Sequence, residues 1–291
     1  MTDTISGLGA LRTSVVLAPS QLDEIEACYR SLGFVAVRGL LDEEDVATLE
    51  RECTAAQERV AAGELPERYG TAELVENDAG EKARAFVNYV THVTELSPAA
   101  DAIFDHPLLL AAIRRWLGPE CTSARGGRFG YVYQDARPSK ESSYSRIGWH
   151  SDWQSAPHLS MWPSTAVTVH LDGTSPANGF LRVVPGSHRW ATPAPYENVN
   201  GAVVPDGAAP WGGYTDEPPP HPMPLGFEAV PGEVAVYLEP GDVLLHDCYL
   251  WHSAARATVD SARRRHLRGG WFAGSVADQH GEGDFVKNAA R

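Results

Sequence analysis

The chain has 291 residues, 24 of them basic and 38 acidic, for a formal charge of -14, and 43% are hydrophobic. That length and apolar content can bury a sizeable core, as one large domain or two small ones. The acidic excess argues against a binder of phosphate backbones or anionic membranes, both of which need surplus Lys and Arg.

Cys28, Cys53, Cys121 and Cys248 stand far apart and form no CxxC pair, so reduced thiols are expected rather than a disulfide scaffold. The chain begins Met1-Thr2-Asp3-Thr4, without a basic stretch leading into an apolar one, and no apolar run reaches membrane-spanning length. The expectation is a soluble cytoplasmic protein, monomer or homodimer. It would act on a small molecule, with neither a nucleic acid nor a membrane as partner.

The first third reads as helical. Pro19-Ser20 precedes a run in which Leu22, Ile25 and Tyr29 share a face, with Ser20 as cap and Gly33 as stop. Residues 34–38 read as a short strand. A second helix is predicted from Glu43, after Asp42, to about Ala61, and a third over 107–117, closed by Gly118. From about residue 122, short β-rich runs separated by Gly, Pro, Asn and Asp take over, at 128–133, 165–171, 180–184, 233–238, 243–246 and 267–272. Many short strands with turn signals point to a sandwich or barrel rather than a parallel α/β sheet. Residues 191–231, which include Pro218-Pro219-Pro220, break this rhythm, and such a stretch is either disordered or a functional lid. The expected organisation is one domain. A helical jacket covers about 19–118, a β core about 122–275, and a lid insertion about 191–231.

Three features carry chemistry. In Trp149-His150-Ser151-Asp152-Trp153, an extended backbone would turn His150 and Asp152 to the same side, presenting an imidazole nitrogen beside a carboxylate. Such a pair alone is common among 11 histidines, and a surface His and Asp near a turn is the plainer reading. Downstream, Glu239-Pro240-Gly241-Asp242 turns into an apolar strand that leads to His252. Two His and one carboxylate on one face of a metal leave positions open, which is the ligand set of non-haem iron(II) oxygenases. The third feature is Arg263, with Arg264, Arg265 and Arg268 close by. A guanidinium holds a carboxylate through two parallel hydrogen bonds, as the far end of 2-oxoglutarate requires. Several of these four arginines are expected to form a solvated face.

Together these residues resemble the phytanoyl-CoA dioxygenase family, in its ectoine-hydroxylase-like branch or among bacterial secondary-metabolite hydroxylases. The resemblance runs through Gly33-Phe34-Val35-Ala36-Val37-Arg38-Gly39, Trp149-His150-Ser151-Asp152, Asn178-Gly179-Phe180-Leu181, Val184-Pro185-Gly186-Ser187-His188 and Pro240-Gly241-Asp242 to His252. It implies a mainly β fold with flanking helices, a double-stranded β-helix or jelly-roll core with the N-terminal helices packed outside. It also implies iron(II) on His150, Asp152 and His252, and 2-oxoglutarate held by Arg263, with dioxygen as co-reactant. Thr168, and more remotely Tyr131, fall where residues supporting the cosubstrate lie. The implied activity is hydroxylation of an unactivated C–H bond in a small metabolite, an amino acid or a secondary-metabolite intermediate, with release of succinate and CO2. Desaturation, epimerisation or cyclisation would begin the same way, and two rival classes are a non-redox metal enzyme on the same barrel and a binding protein that kept the fold but lost turnover. Because position 152 keeps a carboxylate, halogenation is disfavoured. The sequence Trp153-Gln154-Ser155-Ala156-Pro157-His158 departs from the ectoine-hydroxylase pattern, which argues against ectoine.

Other residues admit two uses. His188 sits in a turn and is expected to be structural. His246 could compete as third ligand, but a core position or one beside the ligands is favoured. His170 shares a strand face with Thr168 and either lines the cavity or is a satisfied core histidine. Trp153, His158 and Trp162 either wall the substrate pocket or fill the barrel mouth.

Overall fold

A computed structural model describes residues 9–10, 15–70, 73–76, 82–86, 89–123, 130–135, 147–157, 159, 161–194, 210–255, 257–259 and 262–274; at 9–10, 73–76, 82–86, 131–135 and 147 it describes the backbone alone.

Four helices open the chain: α1 (Leu22–Leu32), α2 (Glu43–Ala61), α3 (Pro98–Ile103) and α4 (Pro107–Leu117). The expected bounds of α2 hold because its cap is strong. The Asp42 carboxylate accepts from the backbone N–H of Glu44 and Asp45, and Asp45 reaches back to the N–H of Asp42, an arrangement worth about 1 kcal/mol. At α1 the N-cap is Gln21 rather than Ser20, and no side chain caps it. Its end is enforced at Gly33, which takes a φ of 82° while its N–H closes on Tyr29 O. A Cβ there would lie 2.6 Å from the His188 ring and 2.9 Å from Leu250, so glycine is required both by the dihedral and by the space.

Ten strands build two facing sheets: β1 (Phe34–Val37), β2 (Tyr89–Thr91), β3 (Gly130–Asp135), β4 (Ile147–His150), β5 (Ser164–His170), β6 (Leu181–Val183), β7 (Val234–Val236), β8 (Val243–Asp247), β9 (His252–Ala254) and β10 (Arg263–Phe272). The larger sheet runs β1-β8-β5-β10-β3-β2, extended at the β1 edge by Val16–Leu17. The smaller runs β7-β6-β9-β4, extended at the β7 edge by Gly9–Ala10. All pairings among the ten are antiparallel. The architecture is the jelly roll expected, as two separate sheets rather than a closed barrel. Strand β10 starts four residues earlier than the sequence suggested, at Arg263. The short β4 and β9 carry too little β pattern to be read in advance.

Strand alternation divides the molecule. The outer face of the larger sheet, with Val167, Val169, Val243, Leu245, Leu267 and Trp271, packs on the helices and forms the main core. Inside the sandwich, one end is filled by Phe34, Ala36, Val183, Leu244 and Leu250. The other end is polar, and the chemistry lies there.

The described parts of 191–231 are not structureless. Thr192–Pro193 pairs with Trp211–Gly212, and Arg182 ties the chain down through Phe227 O, Glu228 O and the Glu233 carboxylate. Among the described residues no helix is long and apolar enough to cross a membrane.

Candidate metal centre

His150 ends β4 and His252 begins β9, and the two face each other in antiparallel register. Asp152 does not continue the strand, as an extended reading of this stretch would require; it opens a 3-10 turn, Asp152–Ser155, fastened by Trp153 N–H to Cys248 O. The turn brings the carboxylate round to the same place. One ligand atom each from His150, Asp152 and His252 lies within 4.8 Å of the others, and this is the one such group found among the described residues.

The protonation pattern suits a metal. His150 Nδ1 lies 2.8 Å from Gly148 O and His252 Nδ1 lies 2.9 Å from Leu250 O. A carbonyl can only accept, so each Nδ1 carries the proton and each Nε2 presents a lone pair. Burial holds both rings below the usual histidine range, with His150 also acting on His252. Burial alone would push the Asp152 carboxyl up. The hydrogen bond from His246, with the neighbouring imidazoles and the Arg268 guanidinium, instead holds it well below the usual carboxylate range. The two carboxylate oxygens are differentiated: Oδ1 lies 3.7 Å from His252 Nε2, while Oδ2 lies 3.3 Å from His246 Nε2. The residues fit a divalent ion with three open positions. His246 stands beside that set, tethering Asp152.

The arginines fall on both sides of β10. Arg263 is exposed, in phase with the outward Leu267 and Trp271, and its carbonyl accepts from Asn178. Arg265 also points outward and is paired with Asp172 and Glu50. Arg264, His266 and Arg268 face the interior. The structure therefore does not bring Arg263 to the site; it brings Arg264, because a shift of one residue along a strand reverses the face. Arg264 is 5% exposed and lies against Gly179, and its side chain makes no hydrogen bond or ion pair with any described residue. Burial lowers it to about 10. His170 and His266, opposite each other in register, flank it, and both ring nitrogens of His170 and Nδ1 of His266 are without a partner. Burial lowers His170 to about 3 and takes His266 well below the usual range. A buried guanidinium with no counter-charge costs several kcal/mol. The position can hold an anion.

Thr168 lies on the interior face opposite Arg268. Tyr131 pairs in register with Leu267 and Val90, but its side chain lies outside the described residues. His158 also lies outside them. Trp153 is buried between Tyr249 and Gly212, while the half-buried Trp162 donates to Ala156 O and meets Phe272 edge to face. His188 serves the turn under Gly33, with Nε2 3.1 Å from Arg30 O.

A family model, that of phytanoyl-CoA dioxygenase, matches residues 29–266. The chain belongs to this family. The ectoine dioxygenase of Bordetella parapertussis is 28% identical to it over 171 residues, which are 57% of this chain and 49% of that protein. The match thus spans about half the length of this curated relative. Iron-bound EctD from S. alaskensis superposes with a TM-score of 0.59 at 19% identity, covering 93% of this chain and 82% of the other. The 2-oxoglutarate-dependent epimerase SnoN of nogalamycin biosynthesis gives 0.57 at 21%, over 87% and 84%. At such identities the likeness is one of fold.

Proposed function

We propose that this phytanoyl-CoA dioxygenase family member is an iron(II)- and 2-oxoglutarate-dependent oxygenase that oxidises an unactivated C–H bond of a small metabolite. His150, Asp152 and His252 hold the iron, and Arg264 grips the far carboxylate of the cosubstrate. One observation carries the reading. A three-ligand face on the smaller sheet and a buried arginine on the larger, without a counter-charge among the described residues, both face the interior, so a metal-chelating oxo acid with a distal carboxylate would serve both at once.

When bound, iron with 2-oxoglutarate and dioxygen supplies the oxidising power for C–H cleavage, with succinate and CO2 as coproducts. The chain supplies geometry. Gly148 O and Leu250 O fix the two imidazole tautomers, and His246 engages one oxygen of Asp152, which would leave the other to hold the metal. Arg264 sets the direction of the cosubstrate. The anchored segment 210–231 roofs the site over Trp153 and limits water.

The reading is tested by anaerobic addition of iron(II) and 2-oxoglutarate. A weak visible charge-transfer band is expected, and His150→Ala should abolish it. A protein that binds the metal yet gives no band and no 2-oxoglutarate affinity would overturn the reading.

A further inference from the structure

Two arginines face the interior from β10, and the proposed chemistry uses one of them. Arg264 lies deep against Gly179. Arg268, four residues further on, reaches the metal centre, with Nη2 3.9 Å from Asp152 Oδ1 and 31% of its side chain still exposed. Its side chain makes no hydrogen bond among the described residues, and neither does the hydroxyl of Thr168, its register partner on β5.

Among the described residues, Asp152 is the one anion paired with this guanidinium. Once that carboxylate ligates a divalent ion its charge is shared, and Arg268 faces a second positive charge at close range. An anion beside Arg268 relieves the repulsion. The next interior residues along the two strands, Ala166 and Gly270, are small and lie opposite each other. Past them, Trp162 and Phe272 meet edge to face with centroids 6.4 Å apart, an apolar wall.

We propose that Arg268 binds an oxyanion of the substrate, with Thr168, which the family resemblance assigns to the cosubstrate, beside it. The substrate is then a small organic acid whose apolar body lies along Ala166 and Gly270 toward Trp162 and Phe272. This rests on the oxygenase reading, which assigns Arg264 to the cosubstrate and leaves Arg268 free for the molecule being oxidised.

The test uses the full chain loaded with Mn(II) and 2-oxoglutarate, and trifluoroacetate as probe, observed by fluorine NMR. The paramagnetic ion broadens the probe only when it binds close by. Saturable broadening is expected, reversed by acetate and not by acetamide. Arg268→Gln should weaken probe binding by about tenfold or more and leave 2-oxoglutarate affinity within about threefold, because one charge-assisted contact is lost and the cosubstrate contacts are not. Arg268→Lys, which keeps the charge, should retain the broadening and controls for misfolding. Absent or unsaturable broadening in the native protein overturns the proposal, as does equal competition by acetamide or undiminished binding in Arg268→Gln. A selective loss of 2-oxoglutarate affinity in Arg268→Gln also overturns it, since Arg268 would then serve the cosubstrate. If the native protein does not bind 2-oxoglutarate at all, the oxygenase reading itself fails, which separates the two failures.

Discussion

His150 and His252 stand directly opposite each other on β4 and β9, with ring centroids 4.2 Å apart. Two neutral imidazoles so close, each with its Nδ1 engaged by a backbone carbonyl, are prepared to bind a metal before it arrives. The apo fold does not need the ion, because each ring is already hydrogen-bonded. His150→Ala should therefore abolish Mn(II) or Co(II) binding while leaving the apo melting temperature within a few degrees. Metal should raise the melting temperature of the native protein alone, as thermal scans with and without metal would show. Burial also holds both rings below the ordinary histidine value, so proton competition for the metal sets in at a lower pH than it would for free imidazoles.

The two neighbouring arginines give the sharpest contrast. Arg264→Gln should lower 2-oxoglutarate affinity by about thirtyfold or more, since truncating a buried charge pair costs at least about 2 kcal/mol. Arg263→Gln, on the exposed face, should leave it unchanged. Titration of the charge-transfer band measures both, and equal losses would refute the assignment by strand face.

His246 holds the non-ligating oxygen of Asp152. Partners of this kind typically govern metal affinity by about tenfold or more when removed. His246→Phe should weaken Co(II) binding by that order, and His246→Gln, which can still donate, should recover most of it. Competition against a chromogenic chelator reads the difference.

Asp247 is buried, and burial pushes its carboxyl up to about 6, although Tyr249 N–H, the Tyr214 hydroxyl and the Tyr29 hydroxyl all donate to it. Its folded value lies above the unfolded one near 4. The native state therefore holds the proton more tightly, and this group's stabilising contribution is complete below about pH 4 and lost as pH rises through 6. Asp247→Asn carries no such titration. Relative to the native protein, the variant should gain about 2 kcal/mol between pH 4 and pH 7. Urea melts at the two pH values provide the comparison, and a constant difference would contradict it.

Helix α2 could be read to the residue because its determinants are local: Asp42 caps it and the apolar period runs out by Gly63. The metal ligands were legible as residue types, but not their geometry. The sequence suggested an extended His150-Ser151-Asp152, whereas the backbone folds into a 3-10 turn secured by Cys248 O, a contact across 95 positions that no local pattern announces. At β10 the signal was present but ambiguous. Leu267 and Trp271 share a phase with Arg263, and Arg264, His266 and Arg268 share the other. Both faces of that strand are buried, so hydrophobic alternation could not say which faces the helices. Only the packing of α3 and α4 against Leu267 and Trp271 decides it, and that is tertiary information.

Gly212 lies against the indole of Trp153, where a Cβ would approach ring atoms to 2.3 Å. Any larger residue at 212 must displace the indole, and the residue joined to Trp153 is Asp152. Coordination at the metal is thereby made answerable to a loop position far along the chain. Variation in the covering segment can retune the reactive centre by leverage, without any ligand being replaced.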